Sequence, residues 1–245
     1  FQCVLSQRFS AEYSGRPLDY YRNLRVTNPS NYLYFYDFGD YQIIGASPES
    51  LVSVKQGQVT TNPIAGTRPR GQDEREDKAL AKELLADEKE VAEHRMLVDL
   101  GRNDIGKIAQ NNSVEVTKYM EVEYFRYVMH LTSVVRGQLL PQLTAMDALK
   151  STLPAGTVSG APKIRAMKRI YELEQEKRGV YAGAIGYLSA TGDMDFAIAI
   201  RTMILKNGRA YVQAGAGIVY DSIPANEYQE TINKAKSMTK IGEMQ

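Results

Sequence analysis

Disulfide bridges, thiolate metal centres, a membrane span and a field of one sign are all denied to this 245-residue chain by what it lacks. Its single cysteine, Cys3, can form no intrachain disulfide and no thiolate cluster. The reducing cytoplasm is therefore the expected compartment. Lys and Arg number 30 against 29 Asp and Glu, so there is no uniform charge to hold nucleic acid or an acidic bilayer surface, and neither is expected as a partner. The longest apolar runs, such as 196–200, end at a charge (Arg201), far short of the ~20 residues a membrane helix needs. There is no low-complexity stretch, repeat or linker, and a composition of 43% hydrophobic and 24% charged residues excludes intrinsic disorder. A chain of this length suits one large domain. It opens on Phe1 rather than Met and enters a strand pattern at once, without the regions of a signal peptide, so it reads as a piece of a longer protein.

Segments rich in β-branched and aromatic residues at 1–9, 32–38, 41–46, 51–55 and 58–62 are separated by Gly, Pro, Asn and Asp, which is hairpin punctuation. A short helix is predicted over 17–27. From Asp73 to Gly101 one long charged helix is predicted, with a buried stripe of Leu84, Val91 and Val98. Residues 114–139 return to strand composition, 145–152 and 162–177 read as helices, 182–219 as three or four strands, and 225–240 as a closing helix. Adjacent strands with helices clustered between them imply an α+β fold of antiparallel β-sheets packed against helices.

Two nucleotide motifs fail. Gly156-Thr-Val-Ser-Gly160-Ala-Pro-Lys163 has the wrong spacing for a phosphate loop, and Gly215-Ala-Gly217 has Tyr220 where a dinucleotide fingerprint needs glycine. Pro162 does suit the first position of a helix, whose free N–H groups could receive a carboxylate or could simply be capped. Two acidic pairs are more informative. Glu90 and Glu93 share a helix face with Ala86 and Leu97 nearby, and Glu227 and Glu230 repeat the spacing with Lys234 four residues on. Either pair can be a solvated surface or a pocket rim, and four converging carboxylates would suit Mg²⁺, a hard cation that takes oxygen ligands.

Of the two histidines, His94 reads as a surface residue or one behind the site. His130 lies in a strand, as a satisfied core imidazole or a general acid or base. Arg201 ends an apolar strand and needs a partner, either a carboxylate ligand or a structural Asp or Glu.

Six motifs occur in order: Phe1-Gln-Cys-Val-Leu-Ser-Gln-Arg-Phe9, Gly45-Ala-Ser-Pro-Glu-Ser50, Pro63-Ile-Ala-Gly-Thr-Arg-Pro-Arg-Gly71, Glu93-His-Arg-Met-Leu-Val-Asp-Leu-Gly-Arg-Asn-Asp104, Leu153-Pro-Ala-Gly-Thr-Val-Ser-Gly-Ala-Pro-Lys163, and Gln213-Ala-Gly-Ala-Gly-Ile218 followed by 227–234. By these motifs the chain resembles the chorismate-utilising enzymes, from Phe1 to about Lys240. The resemblance implies that only the catalytic portion is present, without the amino-terminal part that helps form the family's tryptophan feedback site. Asn28-Pro-Ser-Asn-Tyr32 departs by one residue from the NPSPY usual near that site.

What the resemblance implies for the site is specific. Glu93 and Glu230 become Mg²⁺ ligands, with Glu90 and Glu227 acting directly or through water, and the metal neutralises the ring carboxylate of chorismate. Arg201 and Tyr181 clamp the enolpyruvyl carboxylate, helped by backbone N–H groups around Gly215 and Gly217, and Thr67, Thr157 and Lys234 complete the site. Glu49 is the acid for the departing C4 hydroxyl, because hydroxide leaves poorly without a proton. His130 serves the elimination. Ammonia, supplied by a glutamine amidotransferase subunit, attacks C2, and loss of pyruvate gives anthranilate.

Two positions select this branch. Members that add water carry a lysine base where this chain has Gln2, and members that make 4-amino-4-deoxychorismate carry a lysine nucleophile where this chain has Ala65. The alternatives are an enzyme that stops at aminodeoxyisochorismate, an aminodeoxychorismate or isochorismate synthase, and a non-catalytic module that binds a carboxylate.

Overall fold

The computed structural model describes residues 1–239. In chain order the elements are β1 (Gln2–Glu12), α1 (Pro17–Thr27), β2 (Tyr32–Asp37), β3 (Tyr41–Ser47), β4 (Ser50–Lys55), β5 (Gln58–Thr61), β6 (Ile64–Pro69), α2 (Glu74–Ala86) and α3 (Glu88–Gly106). They continue with β7 (Glu115–Tyr124), β8 (Val128–Gln138), α4 (Ala145–Thr152), α5 (Gly156–Ser159), β9 (Gly160–Ala161), α6 (Lys163–Leu173), β10 (Ala184–Leu188), β11 (Met194–Ile198), β12 (Thr202–Lys206), β13 (Arg209–Ile218) and α7 (Pro224–Thr239).

Local chemistry accounts for most boundaries. Gln56-Gly57 and Asn207-Gly208 take positive φ at both central positions (51° and 78°, 51° and 71°), the two-residue turn whose twist matches paired strands, and they join β4 to β5 and β12 to β13. Pro17 opens α1, where its missing N–H costs nothing. Thr144 and Asp147 cap α4, the Asp147 carboxylate accepting from the Thr144 backbone N–H at 2.9 Å and from its hydroxyl at 2.8 Å.

The chain divides into two compact units. The first takes Phe1–Ser50, Pro154–Ile185 and the described part of Ala197–Gln245, and the second takes Leu51–Leu153 with Gly186–Phe196. Neither is continuous in sequence, so no linker composition marks the division.

In the first unit, six antiparallel strands run in the order β2-β3-β12-β13-β1-β9. β1 lies against β13 from Cys3↔Ile218 to Glu12↔Arg209. Ile44 and Ala46 of β3, Met203 and Leu205 of β12, and Val212 and Ala214 of β13 alternate along their strands. They pack with Tyr20 and Leu24 of α1 and Ala235 and Met238 of α7. Burying one such leucine or methionine contributes about 2 kcal/mol.

In the second unit, the sheet order is β10-β11-β4-β5-β8-β6, with β7 also paired to β8. Leu84 of α2 packs with Met129 and Leu131 of β8, all fully buried, and Val91 of α3 joins them from the rim.

These two sheets, with antiparallel pairing from β1–β13 in the one to β5–β8 in the other, and their packed helices bear out the α+β expectation. Three local expectations need correction. The long charged helix is two, because Asp87 is extended (φ −74°, ψ 105°) and its carboxylate accepts the Lys89 and Glu90 backbone N–H groups, starting a new helix. Residues 64–69 form an unanticipated strand, disguised by Pro63 and Pro69 at its ends. α6 spans Lys163–Leu173 rather than 162–177, with Pro162 as the preceding cap and Glu174, extended (φ −79°, ψ 125°), ending it. The predicted end of the last helix, Lys240, lies outside the described residues.

Candidate active site

In the first unit, the turn between β3 and β4 carries Glu49, held by its backbone: the Ile198 N–H donates to its carbonyl at 3.0 Å. Burial pushes the Glu49 carboxyl up to about 7, against the opposing influence of the Thr157 hydroxyl and the Lys234 ammonium. Glu49 as a residue is only half-buried, and it is the carboxyl end that is taken out of water. Thr157 Oγ1 is buried without a partner of full hydrogen-bond geometry among the described residues, so its effect on Glu49 is proximity rather than a formed bond. An unpaired buried hydroxyl beside a neutral carboxyl is poised to receive polar groups of a ligand.

Lys234 on α7 reaches across to β13: its Nζ donates to the Gly215 carbonyl at 3.1 Å and pairs with Glu230 at 2.6 Å. Arg201 occupies a left-handed position (φ 49°) between β11 and β12, which turns it toward α7, where Nη1 donates to Lys234 O at 3.0 Å and Ser237 Oγ at 2.6 Å. Burial lowers its pKa, and no carboxylate among the described residues pairs with it. Of the two partners expected for Arg201, the structural acid is thus absent among the described residues. Burial likewise pushes the Tyr181 phenol up to about 12. A Cβ added at Gly215 would meet the Tyr181 hydroxyl at 2.7 Å, so only glycine admits that approach; at Gly217 it would run into the Gln2 side-chain amide. Glu49, Thr157, Tyr181, Arg201, Gly215 and Lys234 are therefore drawn together. Glu227 is separately engaged, accepting from Ser222 Oγ at 2.8 Å.

In the second unit, His130 Nδ1 lies 2.9 Å from the Gly66 carbonyl and 3.1 Å from Thr67 Oγ1. A carbonyl only accepts, so Nδ1 carries the hydrogen and Nε2 is the basic nitrogen of the neutral ring. Thr67 and His130 are directly paired across β6 and β8, one step from Ala65, which is buried opposite Leu131. Glu90 sits in the first turn of α3 and Glu93 one turn on. Burial, then the like charges of Glu93 and Asp87, raise the Glu90 carboxyl above its ordinary value. His94 corrects the surface expectation: it is fully buried, with Nε2 2.6 Å from Ser133 Oγ, and burial lowers it to about 4. Only the packing of α3 on β8 makes an apparently charged helix bury that position.

Asp87 is a residue sequence reasoning missed. It caps α3 immediately before Glu90 and pairs with Arg68 at 2.8 Å, and the Asp87-Glu-Lys-Glu90 spacing is the capping signature that could have revealed it.

Each glutamate pair offers two carboxylates and no softer donor, which fits Mg²⁺, an ion commonly held by one or two protein carboxylates together with waters and substrate oxygens. One pair lies in each unit, and no group of three or more His, Cys, Asp or Glu side chains is assembled for a metal among the described residues. No helix there is long and apolar enough to cross a membrane.

Residues 1–240 match the chorismate binding enzyme family. Among curated proteins, the chain is 64% identical over 243 residues to anthranilate synthase component 1 of Lactococcus lactis subsp. lactis, covering 99% of this chain and 53% of that protein. It is 58% identical to the Pseudomonas aeruginosa protein of the same name, covering 97% and 48%. The solved structure of anthranilate synthase component I from Streptococcus pneumoniae TIGR4 is similar at a TM-score of 0.92 and 84% identity, over 98% of this chain and 53% of that one. The chain thus spans about half the length of the relatives it matches.

Proposed function

The chain belongs to the chorismate binding enzyme family, and on that premise we propose that it aminates chorismate at C2 and then eliminates pyruvate to give anthranilate. The observation that carries the reading is the Glu49 carboxyl, pushed up to about 7 beside Lys234 and the unpaired Thr157 hydroxyl. Such a carboxyl holds its proton near neutrality, as an acid for a poor leaving group must.

The enolpyruvyl carboxylate is received by Arg201, which pairs with no carboxylate among the described residues, with the Tyr181 hydroxyl and the N–H groups near Gly215 and Gly217. Glu49 gives its proton to the C4 hydroxyl, which departs as water while ammonia bonds to C2. His130, through Nε2, removes the C2 proton as the ring becomes aromatic and the ring C–O bond to the side chain breaks; the side chain leaves as enolpyruvate, which takes up a proton to become pyruvate. Mg²⁺ held by Glu90, Glu93, Glu227 and Glu230 would neutralise the ring carboxylate and fix the ring's orientation. Gln2 cannot deprotonate water and Ala65 offers no amine, which favours ammonia over the competing nucleophiles. A glutamine amidotransferase subunit supplies the ammonia, in the cytoplasm.

Anthranilate fluorescence with chorismate, Mg²⁺ and excess ammonium salt tests the reading without that partner. Anthranilate is expected. Unconsumed chorismate, or isochorismate or 4-amino-4-deoxychorismate as the product, would overturn it.

A further inference from the structure

An ion pair outside the assigned site touches the supports of four assigned residues. Arg178 lies in the loop after α6 and binds Glu174 in a fork, Nε to Oε2 at 2.8 Å and Nη2 to Oε1 at 2.6 Å, with both side chains largely buried. The same guanidinium donates to the Val158 carbonyl at 2.6 Å through Nη1 and to the Val4 carbonyl at 2.7 Å through Nη2. Its carbon lies 5.5 Å from the centre of the Tyr181 ring. Glu174 Oε1 in turn accepts from the Ser6 backbone N–H and the Ser6 hydroxyl, each at 2.8 Å.

The connections converge. Val158 follows Thr157 on α5. Val4 and Ser6 stand opposite Gly217 and Gly215 in the β1–β13 register. Tyr181 itself is three residues beyond Arg178 and meets the ring-facing cation. Thr157, Tyr181, Gly215 and Gly217 are thus referenced to one planar fork, and only a guanidinium can make these in-plane bonds at once; an ammonium is a point donor.

From this geometry we infer that Arg178, fixed by Glu174, is a positioning residue for chorismate: it holds the Tyr181 ring and the α5 backbone against β1 so that the carboxylate clamp is preformed. The inference rests on the chorismate reading above. It concerns binding more than the chemical step, because Tyr181, Gly215 and Gly217 are assigned to the substrate's carboxylate and only Thr157 stands beside the proton donor, Glu49.

The test uses Arg178→Lys, Glu174→Gln, Tyr181→Phe and the two doubles with Tyr181→Phe. Each is measured for direct chorismate binding, for KM against kcat in anthranilate formation, and for thermal melting. Arg178→Lys is expected to weaken chorismate binding and raise KM about tenfold while kcat changes less than about threefold, and Glu174→Gln to shift both in the same direction by less. In the Tyr181→Phe background either substitution should cost clearly less than in the parent, because the hydroxyl it helps to place is gone and only the contacts to α5 and β1 remain. Additive losses that track melting, or parental binding by Arg178→Lys, would overturn the inference and reduce the pair to a fold element. If Arg178→Lys fails to fold, the Glu174→Gln cycle decides in the same way. A parent that neither binds nor consumes chorismate sinks the functional reading and this inference together. A parent that binds chorismate alongside additive cycles sinks only the inference.

Discussion

Replacing Glu49 by Gln should stabilise the protein at alkaline pH and disable it at every pH. The carboxyl moves from its ordinary 4.5 to about 7 because burial penalises the ionised form more than Thr157 and Lys234 favour it. Each tenfold change in proton affinity is worth about 1.4 kcal/mol, so the displacement amounts to about 3 kcal/mol. The folded pKa lies above the unfolded one, so the folded chain binds the proton more tightly. That contribution is complete below 4.5 and is lost as pH rises to about 7, because the unfolded chain sheds its proton first. Glutamine has the shape of the protonated acid and no proton to lose. In urea titrations at pH 5 and pH 8, the stability of Glu49→Gln relative to the parent should therefore grow by about 2 kcal/mol, and no further above pH 8. All other titrating groups are shared and cancel. Anthranilate formation by the parent should fall above about pH 7, and Glu49→Gln should lose at least about a hundredfold in kcat. A stability difference that stays flat between pH 5 and 8 would refute the claim that Glu49 is held protonated, and with it the acid assigned to the leaving hydroxyl.

Chelation with EDTA should abolish turnover and added Mg²⁺ restore it, with Glu93→Ala or Glu230→Ala removing the rescue; full turnover in chelator would exclude the metal. His130→Ala should consume chorismate and ammonia yet accumulate aminodeoxyisochorismate on chromatography, whereas equal loss of both steps would assign the ring to substrate orientation instead. Asp87→Ala removes the α3 cap and the Arg68 partner. It should cost about 1–2 kcal/mol in urea melts and weaken Mg²⁺ activation through Glu90; unchanged Mg²⁺ dependence would separate the cap from the metal site. Gln2→Lys places an amine against Gly217 and should permit some isochorismate without ammonia, so a variant whose products match the parent's would remove Gln2 as a determinant of the nucleophile.

Much of the fold is legible in the sequence because it is decided locally. α1 and α4 occur at their expected residues since proline at a first turn and a Thr-x-x-Asp cap act within a few positions, and the Asn207-Gly208 hairpin follows from backbone conformations those residues adopt cheaply. The motifs carry the family for the same reason, as short strings whose residue types are visible without coordinates. What the string conceals is whatever depends on packing between distant segments. His94 looks solvated in a charged helix and is fully buried against Ser133, 39 residues away. Glu49 is an ordinary turn glutamate until folding brings Thr157 and Lys234 to it and removes its water. Arg178 and Glu174 pass for a solvated pair four residues apart, yet folding sets them against Val4, Ser6 and Val158. Residue types and spacings determined which chemistry this chain can offer. Only the tertiary structure decided which of those groups lose their solvent and so acquire the proton affinities and fixed directions that make the chemistry usable, because desolvation is a property of neighbours far apart in sequence.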